Sequence, residues 1–133
     1  MLFLAFNAGI VVLIWLVQLV IYPSFRHIDE SEFVDWHASY TTRVSFVVIP
    51  LMFGQVGMIS YKFYENGFLP VLLLQGLFVF VAWVVTFAIS VPCHNVLSEK
   101  KSGKEIERLI KTNWIRTAVW TAVLLLDIPR MFS

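Results

Sequence analysis

The stretch "IKTNWIRTAVWTAVLLLDIP", residues 110–129, decides the architecture. Only ten residues separate Arg116 from Asp127, too few for a helix to cross a hydrocarbon layer, which needs about 20 residues. A span ending near Pro129 must therefore begin near Ile110, and that draws Arg116 inside the apolar region. Working outward, three more uncharged or nearly uncharged stretches appear. No charge precedes Arg26, so the first span is read over 2–22; the second lies over 43–62 and the third over 68–91, with Pro92 marking its end or a kink. The first stretch lacks the basic start and small-residue cleavage pattern of a signal peptide and is read as mature structure.

Composition agrees with this layout. Of the 133 residues, 59% are hydrophobic and 14% charged, with a mean hydropathy of +0.78, well outside the range of soluble domains. The chain reads as one transmembrane domain over 1–133, an all-α integral membrane four-helix bundle. Spans and short connections use almost every residue, so any function must lie in the bundle or on its rims. The single cysteine, Cys93, excludes an internal disulfide, and the spacing for a zinc knuckle or covalent haem attachment is absent.

Charge sets the expected orientation. Arg26, Arg43, Lys100, Lys101, Lys104, Arg108, Lys111 and Arg116 fall on the side of loops one and three, against Lys62 and Arg130 on the other. Eight against two predicts a multi-pass protein with loops one and three cytoplasmic and both termini outside. Asp29 with Glu32, and Ser102 with Glu105, have the form of capping boxes. They predict that helices two and four extend beyond the bilayer on the cytoplasmic side.

Helical spacing then sorts the polar residues into stripes. Helix one aligns Asn7, Val11, Ile14, Gln18 and Tyr22; helix two, Phe33, His37, Tyr40 and Val44; helix three, Gln75, Val79, Ala82, Thr86 and Cys93. Helix four aligns Ile106, Leu109, Asn113, Arg116, Trp120, Val123 and Asp127. Polar stripes are expected to face the bundle interior, because lipid offers them no partner. Asn7, Gln18, Gln55 and Gln75 read as interhelical hydrogen-bond groups. Arg43 reads as an interfacial anchor, and Trp36, Trp114 and Trp120 as belt or packing residues unless they line a site.

Four helices bring hydrogen-bonding or ionisable groups to the cytoplasmic end: Gln18 and Tyr22, His37 and Tyr40, His94 and Asn95, Asn113 and Arg116. A charge inside a span is costly unless paired or hydrated, and Asp35, Glu32 or an anionic ligand is the expected partner of Arg116. His37, His94, Asn113 and Arg116 are the candidate catalytic set. Spacing alone leaves the two histidines open between buried structural groups and acid–base groups. No metal site is predicted.

"PCHN" closing the third span and "NWIRTAVWT" opening the fourth resemble the small four-helix membrane proteins grouped around the fungal anthrone oxygenases. The resemblance assigns Asn95, Trp114 and Arg116 to that group's recurring positions, with His94 alongside. It implies cofactor-independent oxygenation of an electron-rich lipophilic compound, an oxidoreductase-like activity without metal or flavin. His94 or His37 would be the base, and Arg116 with Asn113 or Asn95 would hold the anion. Trp114, Trp120, Tyr22 and Tyr40, with Gln18, would line the substrate.

Three other classes compete, the weakest being transport, which would require a dimer because one four-helix bundle without an inverted half-repeat offers little room for alternating access. His37 and His94 on facing helices suggest a haem b or metal-binding redox protein, and a polar cytoplasmic rim suggests a homo-oligomer or a non-catalytic subunit of a larger membrane complex. The expected partners are the lipid bilayer and a lipophilic small molecule. Nucleic acid is not among them, since the basic run "KKSGK" is short and interleaved with Glu99, Glu105 and Glu107.

Overall fold

The computed structural model describes residues 1–132. They form four long helices: α1 over Leu2–His27, α2 over Glu30–Asn66, α3 over Pro70–Leu97 and α4 over Gly103–Asp127, followed by a short 3-10 turn, Ile128–Met131. The first three are long and apolar enough to cross a membrane. In α4, Lys111, Asn113, Arg116 and Thr117 dilute the apolar run.

The distribution of polarity is inverted relative to a soluble bundle. Leu19, Val20, Phe46, Phe53, Phe80 and Leu125 are exposed, whereas Asn7, Gln18, His37, Gln55, Gln75, Asn113 and Arg116 are buried. Every member of the expected α4 stripe is buried. In the other stripes, Val11, Tyr40, Val44 and Thr86 are partly buried rather than fully so.

Glycines let α2 approach its neighbours. A Cβ on Gly54 would fall on the Phe6 ring of α1, and one on Gly76 of α3 would meet Phe63, the small-residue contacts expected of helices that pack in lipid. Buried amides tie the same level together. Gln55 Nε2 donates to Asn7 Oδ1 at 2.7 Å, Trp120 Nε1 donates to Gln55 Oε1 at 3.0 Å, and Gln75 Nε2 donates to the Val123 carbonyl at 3.0 Å. Gln55 thus links three helices.

The helix boundaries have local causes. Ser102 accepts a hydrogen bond from the Glu105 amide at 3.4 Å and starts α4 as its spacing predicts. Asp29 occupies the equivalent position before α2, but its side chain makes no capping bond. Instead Lys101 Nζ donates to the carbonyls of Ile28 at 2.6 Å and Arg26 at 3.2 Å, joining loops one and three. At the other end, Gly67 has φ of 71°, a left-handed conformation that glycine adopts without steric penalty, and it stops α2.

Pro23 and Pro92 have a structural signature that their positions along the chain do not foretell. Each comes after a π-helical segment, Val17–Ile21 in α1 and Thr86–Ser90 in α3, and each helix continues beyond its proline. Proline lacks an N–H and its ring clashes with the carbonyl four residues earlier; a wider turn relieves that clash and rotates the remainder of the helix about its axis. Pro92 therefore neither ends α3 nor breaks it. The two π segments lie beside Gln18, Tyr22, Ser90 and His94.

Candidate functional site

Besides the Phe63–Gly76 contact, helix α2 meets α3 at two levels that frame a gap. His37 contacts His94 at one, and the Phe53 ring meets Trp83 edge-on at a centroid distance of 5.3 Å at the other. Between them α2 presents Thr41, Val44, Ser45 and Val48, side chains too short to close the gap. The result is a cavity of about 530 Å³ bounded by all four helices. Its walls are apolar, including Ile10, Ile14, Val17 and Met52, and Tyr22, Tyr40, Ser90, His94 and Arg116 gather at one end.

Two sets of hydrogen bonds converge there. His37 Nε2 lies 2.9 Å from His94 Nδ1, and His94 Nε2 lies 3.1 Å from the Tyr22 hydroxyl. The chain runs from α2 through α3 to α1 and ends at the cavity. Phe33 stacks on the His37 ring at 5.7 Å, and Phe25 packs edge-on against both imidazoles, so the relay is held by aromatic contacts. His37 is fully buried and its Nδ1 has no hydrogen-bond partner.

Arg116 is the second focus. Its Nη1 donates to Asn113 Oδ1 at 3.2 Å, while Asn113 Nδ2 donates to Gln18 Oε1 at 3.0 Å. Thr117 donates to the same Gln18 oxygen at 3.0 Å, and Gln18 Nε2 donates to the Ile110 carbonyl at 3.1 Å. These bonds fix the Asn113 amide so that its oxygen faces the guanidinium. The Arg116 guanidinium carbon sits 4.9 Å from the Trp120 ring centroid, a cation–π contact, and the guanidinium lies beside the Tyr22 hydroxyl. Only 5% of Arg116 is exposed, and its Nε is unpartnered.

The expected carboxylate partners of Arg116 are elsewhere. Glu32 and Asp35 are exposed on the opening turns of α2, and the ion pair recorded among the described residues joins Arg26 to Glu107 at the rim. Arg116 is thus a buried cation compensated by an amide oxygen and a π face, with no acidic partner among the described residues.

The structure brings His37, His94, Tyr22, Tyr40, Gln18, Asn113, Arg116 and Trp120 into one connected region. It does not bring Asn95 or Trp114 there. Asn95 is exposed on the outer face of α3, and Trp114 is 47% exposed and packs edge-on against Trp15. Each comes one residue after its buried neighbour, and one step rotates a side chain about 100° around a helix. Spacing could have separated Trp114 from Asn113, since Trp114 is off the α4 stripe. Sequence reasoning missed Ser90 and Thr117, small polar residues with no distinguishing signal, and missed the cavity, which depends on how the helices diverge.

The haem reading does not fit this arrangement. Axial histidines must aim one nitrogen each at a metal lying between them, whereas these two imidazoles point nitrogens at each other within hydrogen-bond distance. No cluster of three or more His, Cys, Asp or Glu suited to a metal ion occurs among the described residues.

No family model matches the chain, and no curated protein or solved structure shows significant similarity to it. The resemblance to the anthrone oxygenase group rests on the four-span layout and two short motifs.

Proposed function

We propose that this chain is an integral membrane protein that binds a lipophilic small molecule carrying an acidic group, and that removes the proton of that group through Tyr22, His94 and His37. The observation that carries the reading is a buried Arg116, without an acidic partner among the described residues, beside a Tyr22–His94–His37 chain at the polar end of an apolar cavity.

Each residue has a distinct task. Arg116, oriented by Asn113 and Gln18, supplies positive charge where an anion develops, in surroundings of low dielectric that strengthen it. Tyr22 touches the ligand's acidic group, and His94 lies behind it. In one polarity Tyr22 donates to His94 Nε2, His94 donates from Nδ1 to His37 Nε2, and His37 keeps its proton on Nδ1. In the other polarity every bond is reversed. A proton entering at Tyr22 converts the first arrangement into the second and is held on His37, which then carries a proton on both nitrogens as the imidazolium beside the bound anion.

The anthrone oxygenase resemblance extends this reading to oxygenation of the resulting anion, for which oxygen uptake with a lipophilic phenol is the direct assay. The fourth span and the cytoplasmic placement of loops one and three belong to the same proposal, supported by the charge asymmetry.

A lipophilic nitrophenol, whose anion is yellow, tests the binding and proton-transfer steps. The purified protein is expected to hold it as the phenolate at a pH where the free phenol is protonated. In Arg116→Gln and His94→Gln the bound probe should remain colourless. Equal ionisation in all three proteins would defeat the proposal.

A further inference from the structure

The shape of the cavity specifies more than its polarity does. On α2 the lining residues recur as Tyr40 and Thr41, Val44 and Ser45, Val48 and Ile49, Met52 and Phe53. From Tyr40 to Phe53 a helix rises by about 20 Å. The cavity, about 530 Å³, extends along that length, a long apolar slot that suits an extended hydrocarbon chain laid along it.

The slot also has a side entrance. Ile49, Phe53, Phe87 and Val91 all line it, and they are 52%, 62%, 58% and 38% exposed. Residues that are both lining and exposed place the opening on the flank of the bundle between α2 and α3. It is bordered by apolar groups at a depth that the proposed spans assign to lipid.

Arg116 is the one cation among the lining residues. A single guanidinium without an acidic partner among the described residues matches a monoanion that can accept two parallel hydrogen bonds, the geometry of a carboxylate. A phosphate monoester would bring a second negative charge and find no second cation among the lining residues.

We propose that the cavity takes a single-chain amphiphile with a carboxylate head, drawn sideways from the membrane between α2 and α3, with its chain along the slot and its carboxylate on Arg116. This inference rests on the proposed function and narrows its ligand to a long-chain carboxylic acid, delivered protonated and held as the anion.

Native mass spectrometry of the purified protein released from detergent tests it, with palmitate, methyl palmitate and hexadecanol as probes of one chain and three heads. Palmitate is expected to bind one per chain, at least about tenfold more tightly than the ester or the alcohol. Arg116→Gln should remove that preference. Val48→Trp, which plugs the slot midway and leaves the polar end alone, should weaken palmitate at least about tenfold while octanoate binding persists. If the ester and alcohol bind wild type as well as palmitate does, the carboxylate inference is overturned, yet lipophile binding stands. If none of the probes and no lipophilic phenol binds, the proposed function fails with it. Unchanged palmitate binding in Val48→Trp overturns the inference even if Arg116→Gln does not fold.

Discussion

His37 Nε2 and His94 Nδ1 stand 2.9 Å apart across the junction of α2 and α3, and His94 reaches Tyr22 on α1 with its other nitrogen. Two imidazoles so bonded can share only one proton between them, so His94 cannot reverse its bond to Tyr22 unless His37 changes with it. The proton-accepting capacity of the cavity end therefore depends on a residue outside its lining.

His37→Phe isolates that dependence. The ring keeps its contacts with Phe33 and Phe25 and loses the nitrogen. The bound nitrophenol should stay protonated while its affinity changes little, because Arg116 and the apolar walls remain. Absorbance and binding titrations read the two effects separately, and an ionised probe in this variant would count against the relay.

Arg116→Met should separate stability from binding. A buried charge without an acidic partner is held at a cost that an apolar residue of similar length avoids. Removing it is expected to raise the unfolding free energy of the ligand-free protein by about 1–3 kcal/mol, with palmitate binding lost. Denaturation in mild detergent checks this; a marked loss of stability would mean that Asn113 and Trp120 compensate the guanidinium fully.

Two neighbouring glycines on α2 should respond in opposite ways. Gly54→Ala places a methyl group on Phe6, whereas the same change at Gly57 meets nothing within 4 Å. The first should cost about 1–3 kcal/mol through overpacking, and the second should be neutral or stabilise by up to about 1 kcal/mol through helix propensity. Melting curves of both variants decide the matter, and similar shifts would argue against close α1–α2 packing at Gly54.

The rim pair predicts a pH dependence. Arg26 Nε and Nη2 donate to the Glu107 carboxylate at 2.6 and 2.8 Å, and the hydrogen bond from Arg26 is the main reason that the carboxyl is held below its usual range. A lowered value in the folded state means that the stabilisation is present above the unfolded carboxylate value of about 4.3 and disappears as pH falls through the folded value. The melting temperature of wild type should exceed that of Glu107→Gln by a constant small margin above about pH 5, a margin that shrinks and then disappears as the solution is acidified further. A margin that survives acid would show that the pair is not its source.

Much of this molecule could be read from its residues in order. Arg116 and Asn113 lie three apart on α4, and a helix has only one way to turn both inward. The same reasoning placed Gln18 and Tyr22, and put Gln55 and Gln75 among the interhelical bonds. It failed one residue away from the stripe, at Asn95 and Trp114, where a motif was read as a block although a helix turns its successive residues to different faces. It also supplied Arg116 with acidic partners from the start of α2, because sequence proximity to the rim says nothing of depth.

What the sequence determined by itself was periodicity and length: four helices, their polar faces, and a charge that falls inside the last apolar run. These come from a fixed rise and turn per residue, which are local properties. Only the tertiary structure decided that His37 would meet His94 end to end, that two π segments would precede Pro23 and Pro92, and that α2 would diverge from α3 to leave a slot. Those outcomes depend on the relative rotation and separation of packed helices, set by small contacts such as Gly54 on Phe6 that carry no recognisable signature along the chain.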